Sequence, residues 1–275
     1  MPLVWKTARF ELALDRPLVM GIVNVTPDSF SDGGLHAEAA QAIAHAQTLI
    51  EQGADVLDVG GESTRPGSPR LTPQQEWTRI GPVLREVVRW NVPVSVDTYH
   101  PQTMQRAIDL GVDVINDIFA LRQPGAVDVV ARSAVGVCLM HMQAEPGTMQ
   151  LAPHYDDVGA EVRTFLRDRA AALRSSGIAA SRIALDPGFG FGKSLEHNLQ
   201  LAHGLGALAA EEYPLLVGVS RKSMIGALTG RDVSQRLAGS LAAALACVAA
   251  GAHIVRVHDV AATVDAIKVW RAMRG

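Results

Sequence analysis

Short apolar runs recur along this chain, and each ends on a polar or charged residue that a buried strand would not choose. Residues 19–23 (VMGIV) end at Asn24, 55–57 at Asp58, 94–96 at Asp97, and 112–115 at Asn116 and Asp117. Residues 135–140 end at His141, 183–185 at Asp186, 215–219 at Ser220, Arg221 and Lys222, and 254–257 at His258 and Asp259. The runs are near-continuous in Val, Ile and Leu rather than alternating, the pattern of parallel strands covered on both faces. Between them apolar residues recur at helical spacing. Residues 37–52 place Ala40, Ile43, Ala44, Ala46 and Ile50 on one broad face ahead of Gly53. Thr72 and Pro73 start a helix over 73–90, while Gly111, Gly177 and Gly251 stop helices over 101–110, 155–176 and 234–250. Residues 194–210 and 260–273 follow the same logic.

Eight strand-then-helix units in roughly 250 residues predict an α/β fold, a single (β/α)8 TIM barrel. An open doubly wound sheet would carry a glycine-rich turn after its first strand, where this chain has Asn24 followed by Val-Thr-Pro. Residues 8–14 alternate weakly and predict a short N-terminal hairpin closing the bottom of the barrel. No linker or low-complexity stretch divides the sequence, so residues 1–275 read as one domain.

Composition narrows the function classes. A chain of 275 residues, 48% hydrophobic, can build one large core. A formal net charge of −3 offers no basic footprint for nucleic acid. Cys138 and Cys247 sit in apolar runs without CxxC spacing and read as buried free thiols of a reducing compartment. No stretch reaches ~18 apolar residues, and the N-terminus has no signal-peptide pattern, so a cytoplasmic protein without a membrane partner is expected.

A barrel of this kind brings the C-terminal ends of all its strands to one face, where side chains from different strands meet. Two connections leaving that face are long and rich in Gly, Ser, Thr and Pro: residues 24–34 (NVTPDSFSDGG) and 60–68 (GGESTRPGS). They read as lids or binding loops. Residues 186–194 (DPGFGFGKS) imitate a P-loop, but the pattern needs glycine where Pro187 stands, and no second nucleotide motif accompanies it. The segment reads instead as a strand ending in a functional carboxylate, then a loop whose Phe189 and Phe191 either flank a flat ring or pack the loop itself.

Asp97, Asn116 and Asp186 each close an apolar run. Buried carboxylates need partners, and a ligand with adjacent N–H donors would satisfy one bidentately. With Lys222 nearby, such a pocket suits a flat heterocycle carrying donors and acceptors; the alternative is that these residues cap the following helices. Residues 220–223 (SRKS) open a short helix where barrels of this class hold anions. Arg256 and His258, beside Asn24 in the ring, could grip a polyanion, or serve as a structural ion pair and a structural hydrogen bond. There is no HExxH, no clustered Cys/His spacing and no GxSxG elbow.

Taken together, these segments resemble the dihydropteroate synthase family. The matching strings are GIVNVTPDSFSDGG (21–34), DVGGESTRPG (58–67), VDT (96–98), IND (115–117), DPGFGFGK (186–193), SRKS (220–223) and RVH (256–258), spanning nearly the whole chain. The resemblance implies a homodimeric, pterin-binding barrel transferase of folate biosynthesis. It would join 6-hydroxymethyl-7,8-dihydropterin pyrophosphate to p-aminobenzoate, with Mg²⁺, releasing pyrophosphate and 7,8-dihydropteroate. Carried over residue by residue, Asp97, Asn116, Asp186, Lys222 and Met140 would bind the pterin. Asn24, Arg256 and His258 would hold the pyrophosphate, Asn24 also contacting Mg²⁺. Thr64, Arg65, Pro66, Phe30, Phe191 and Ser223 would form the p-aminobenzoate site, with sulfonamides as competitive inhibitors.

No side chain looks like a covalent nucleophile, so a dissociative substitution is expected. The dihydropterin ring can share positive charge as its C–O bond breaks. Arg256, His258 and Mg²⁺ would stabilise the departing pyrophosphate, Asp97 would offset the charge on the ring with Asp32 closing over it from the first loop, and Lys222 completes the expected catalytic set. A methyltetrahydrofolate-type methyltransferase is the nearest rival, but it would not need the Arg256–His258 anion site or the 24–34 loop. A non-catalytic pterin-binding protein would have no use for either long loop, and a barrel aldolase would want its lysine inside a strand. Asp58 and His141 read as supporting residues around the site, their specific roles left open by the sequence.

Overall fold

The computed structural model describes residues 3–25, 34–63, 69–145 and 147–274. Its elements run β1 (Val4–Lys6), β2 (Glu11–Ala13), β3 (Leu18–Asn24), α1 (Gly34–Glu51), β4 (Val56–Gly60), α2 (Pro73–Val87), β5 (Val94–Asp97), α3 (Pro101–Leu110), β6 (Val114–Asp117), α4 (Ala126–Ala131) and β7 (Gly136–Met140). They continue with α5 (Val158–Ser175), β8 (Ile183–Asp186), α6 (Leu195–His203), α7 (Leu205–Ala209), β9 (Leu216–Val217), α8 (Ser223–Thr229), α9 (Leu237–Ala249), β10 (Ile254–Val257) and α10 (Val260–Arg274).

Strands β3 to β10 form one parallel sheet in the order β8-β7-β6-β5-β4-β3-β10-β9. A single parallel bridge, Leu185 to Leu215, with Leu185 N–H donating to Pro214 O at 2.8 Å, joins the two ends and closes the ring. The result is the predicted (β/α)8 barrel. Helix starts follow local chemistry. Thr72 and Gln75 form a reciprocal capping box with Pro73 in the first turn, and Gly111 ends α3 in the left-handed region at φ 96°.

Several boundaries differ from the sequence expectation. Strand β4 runs past Asp58 to Gly60, so Asp58 lies inside the strand and below the rim. The helix expected over 194–210 breaks at Gly204 into α6 and α7. The one expected over 234–250 starts at Leu237, behind a 3₁₀ turn at Val233–Gln235. Helix α4 has six residues, too few to display a helical period in sequence.

The bottom of the barrel is apolar. Leu18, Met20, Val56, Val114, Cys138, Ala184, Leu216 and Ile254 point inward, and fully buried Trp5 covers them. The hairpin that brings Trp5 there pairs Val4–Lys6 with Glu11–Ala13, and the indole N–H donates to Arg182 O at 3.0 Å. Arg9 fixes the hairpin from the other side, donating through Nε and Nη2 to fully buried Asp113 at 3.0 and 2.5 Å. Gly136 is required here, because a Cβ would stand 2.9 Å from Lys6 O and 3.2 Å from Trp5 Nε1. Both cysteines are buried and free, and burial pushes the Cys247 thiol up to about 12. Among the described residues no helix is long and apolar enough to cross a membrane.

Trp5→Ala should therefore lower the unfolding free energy by about 3–5 kcal/mol in denaturant titrations, the usual cost of emptying a large aromatic site. A loss under about 1 kcal/mol would show that the hairpin does not carry the barrel floor.

Candidate active site

Parallel register levels the polar strand ends around one rim. Asn24 pairs with Gly60, Gly60 with Asp97, Asp97 with Asn116, and Met140 with Asp186. They surround a cavity of about 710 Å³. Asn24, Asp97, Asn116, Met140, Asp186, Phe191, Lys222, Ser223, Arg256 and His258 all line it, so every described residue expected at the site is brought to one place. Phe30, Asp32, Thr64, Arg65 and Pro66 lie outside the described residues. Both phenylalanines border the cavity, but Phe189 is fully buried and packs into the core, while Phe191 is only partly buried.

The floor is one guanidinium shared by two acids. Arg256 Nε donates to Asp58 Oδ2 at 2.6 Å and its Nη2 to Asp97 Oδ2 at 2.8 Å. Asn116 Nδ2 adds a third donor, 3.2 Å from Asp58 Oδ2. Asp58 is fully buried, so the role that the sequence left open is structural support of Arg256 and Asn116. Burial opposes the charge on Arg256, but Asp58 and Asp97 overcome it and hold the guanidinium above its ordinary range. Burial pushes Asp97 up to about 7; the Asp58, Glu76 and Asp117 charges add to the rise and Arg256 opposes it. Two carboxylates compete for one cation, which keeps Arg256 charged and delays ionisation of Asp97.

Asp186 faces this pair across the pocket. Burial raises its carboxyl, while the Gly188 N–H, donating to Oδ1 at 2.7 Å, and the Lys222 charge pull it back. Burial lowers Lys222 to about 8, with Asp186 opposing. Its ammonium lies 4.1 Å from the centre of the Phe191 ring, within cation–π range. Beside Lys222, Ser220 Oγ and His258 Nδ1 are 3.0 Å apart.

The turn carrying Lys222 has its own scaffold, which the sequence did not reveal. Arg221 adopts φ 57°, a left-handed conformation that strains a non-glycine residue. Its side chain pairs with Asp259 at 2.5 Å, and its N–H donates to Ser240 Oγ at 2.9 Å. Arg236 Nη1 donates to the Arg221 carbonyl at 3.1 Å and also lines the cavity. Arg236 falls at the start of the helix expected over 234–250 and caps the observed one, and nothing in a helical pattern marks a side chain that reaches the cavity. Glu62 anchors the base of the second long loop, accepting from Tyr99 Oη at 2.8 Å and Leu71 N–H at 3.0 Å.

Comparison with known proteins agrees with this geometry. The model of the family described as pterin binding enzyme matches residues 20–258. A curated Neisseria meningitidis serogroup C protein, dihydropteroate synthase, is 57% identical, covering 98% of this chain and 97% of its own. The structure of Xanthomonas albilineans dihydropteroate synthase with 4-aminobenzoic acid superposes with a TM-score of 0.94 at 52% identity, covering 100% of this chain and 99% of its own. That of Burkholderia cenocepacia dihydropteroate synthase complexed with 7,8-dihydropteroate gives 0.89 at 49% identity, covering 99% and 97%.

The acid and base at the pocket set opposite limits on ligand binding. Asp97 accepts a pair of N–H donors through both oxygens only once ionised, above about 7, and Lys222 carries its charge only below about 8. Pterin affinity measured by calorimetry across pH should therefore rise through the first value and fall beyond the second. Asp97→Asn should remove the acid limb and Lys222→Met the alkaline one; limbs that persist unchanged in both variants would refute the assignment.

Proposed function

This chain belongs to the pterin-binding enzyme family, and we propose on that premise that it is a dihydropteroate-forming transferase acting on 6-hydroxymethyl-7,8-dihydropterin pyrophosphate and p-aminobenzoate. The observation that carries the reading is the convergence of Asp97, Asn116, Asp186 and Lys222 on one deep cavity that Arg256 and His258 also line. Two acids and an amide match the adjacent N–H donors of a 2-amino-4-oxo pyrimidine edge, and Lys222 matches its acceptors. Met140, 4% exposed, offers a polarisable face to the ring.

Charge placement supports a dissociative substitution. The floor gathers Asp58, Asp97 and Asp186 against Arg256 and Lys222, an acidic excess that favours positive charge developing on the dihydropterin ring as its C–O bond breaks. His258 and Asn24, at the adjoining rim, would receive the departing pyrophosphate together with the cavity-facing edge of Arg256. Among the described residues no group of three or more His, Cys, Asp or Glu side chains could hold a metal ion. Asn24 supplies a single neutral oxygen at the rim, which fits a Mg²⁺ carried largely by its pyrophosphate and waters. When bound, that ion neutralises charge on the leaving group.

Phe191 and Ser223 would meet the aminobenzoate, with Thr64, Arg65, Pro66 and Phe30 contributed by the two long loops and Asp32 acting from the first. Sulfonamides share the para-substituted aniline and would compete for that space. The remaining expectations, a cytoplasmic homodimer, are consistent with buried free thiols and with apolar side chains exposed around α8 and α9, where Leu228 is 57%, Val233 50% and Leu237 42% exposed.

Incubating the purified chain with dihydropterin pyrophosphate, p-aminobenzoate and Mg²⁺ should yield dihydropteroate; no product would overturn the proposal. Lys222→Ala should weaken pterin binding by roughly 10- to 100-fold, the loss of a charge-assisted hydrogen bond. Wild-type affinity in that variant would remove Lys222 from the pterin site. Positional isotope exchange within the pyrophosphate without p-aminobenzoate is the expected sign of bond breaking first, whereas cleavage strictly dependent on p-aminobenzoate would count against it.

A further inference from the structure

The P-loop imitation at residues 186–194 and the unassigned His141 meet in space. Lys193 is 3% exposed, yet no carboxylate lies within salt-bridge distance of it among the described residues. Its ammonium contacts Gly188 O at 3.0 Å, Phe191 O at 3.1 Å, His141 Nδ1 at 3.0 Å and, more distantly, His141 O at 3.5 Å. A P-loop points backbone N–H groups at an anion. This loop does the reverse, turning carbonyls inward onto a cation. The neighbouring carbonyls are also taken: Gln150 Nε2 donates to Gly190 O at 2.6 Å and Tyr155 Oη to Gly192 O at 2.8 Å.

That inversion needs unusual backbone. Gly188, Gly190 and Gly192 have φ of 68°, 78° and 60°, three left-handed residues in five. A Cβ on Gly188 would overlap His141 O, and one on Gly190 would lie 3.2 Å from Lys222 Cδ. The loop is thus seated on the end of β7 on one side and against Lys222 on the other.

We propose that Lys193 is a positioning residue: its buried ammonium gathers the Gly188 and Phe191 carbonyls onto His141 and so sets the Phe191 ring against Lys222 at the aminobenzoate side of the cavity. The assignment of that side rests on the function proposed above. An ammonium without a counter-ion is costly to bury, and it is tolerated only where several acceptors replace its water. Burial lowers Lys193 to about 7, with Asp186 opposing; burial, and then the Lys193 charge, lower His141 to about 3. His141 is therefore a neutral acceptor for the ammonium, and its ring is braced edge-on by Phe165 at 5.0 Å. The lysine acts on the reaction only through Phe191 and Lys222.

Lys193→Met keeps the reach of the side chain and removes the charge and donors. Amide hydrogen exchange of residues 188–192 should accelerate about tenfold or more, the loss of one or two net hydrogen bonds, while exchange in β3 to β6 stays unchanged. The KM for p-aminobenzoate should rise about tenfold with kcat within about threefold, a split that general destabilisation would not produce. Unchanged exchange and unchanged KM in a folded Lys193→Met variant would overturn the proposal. If that variant does not fold, His141→Leu, which leaves the lysine and deletes one acceptor, should give a smaller change in the same direction, and no change there overturns it. A wild-type chain that makes no dihydropteroate defeats the functional reading, whereas the exchange measurement still decides the role of Lys193.

Discussion

One guanidinium held between two carboxylates organises this site. Arg256 leaves β10, and its partners Asp58 and Asp97 leave β4 and β5, with β3 lying between β10 and β4 in the ring. The interaction therefore spans the bottom of the cavity instead of joining neighbouring strands. Asp58 is fully buried, so withdrawing Arg256 would strand a charge in low dielectric, a loss of several kcal/mol. Asp58 also takes the Asn116 amide, which fixes the orientation of a third cavity-lining side chain. Because burial disfavours its charge and the neighbouring acids add to that effect, Asp97 reaches the cavity with its proton held to about 7, poised to change state when a ligand offers donors.

Above that floor, two turns carry the remaining cavity groups, and both use left-handed backbone, strained at Arg221 and natural to the glycines of the other turn. Arg221 sits at φ 57° under the joint grip of Asp259, Ser240 and Arg236, and thereby aims Lys222 inward. The Gly188–Gly192 segment is held by Lys193, Gln150 and Tyr155. Strain of this sort persists only where surrounding contacts over-determine it, and it suits a reaction that depends on orientation more than on covalent chemistry. The opposite end of the barrel is different in kind: Trp5 over an apolar layer, with Arg9 and Asp113 locking the hairpin. Stability is concentrated there and polarity at the strand ends, so the two demands do not compete for the same residues.

The barrel and most of its site were legible because their signals are local. A parallel strand covered on both faces must be apolar along its length, so a polar residue at its end stands out; Asp97, Asn116, Asp186 and His258 were all visible this way. Asp58 imitates a strand end in the sequence, because a buried acid inside a strand breaks the apolar run just as a strand end does, and β4 in fact continues to Gly60. Helical periodicity misses α4, whose six residues are shorter than two helical turns, and joins α6 to α7 across Gly204.

What the sequence by itself determined is the eight-strand plan of the barrel, the face on which polar ends gather, and the chemical character of that face, all of which follow from periodicity and residue type. Only the tertiary structure decided who partners whom. Asp58 and Arg256 are 198 residues apart, Arg221 and Asp259 are 38, and His141 and Lys193 are 52. No spacing rule links such pairs, because their meeting depends on strand register and ring closure. Whether an ammonium meets a phosphate, a carboxylate or a ring of carbonyls depends on backbone direction in three dimensions, and that is why a string so close to a P-loop folds into its electrostatic opposite.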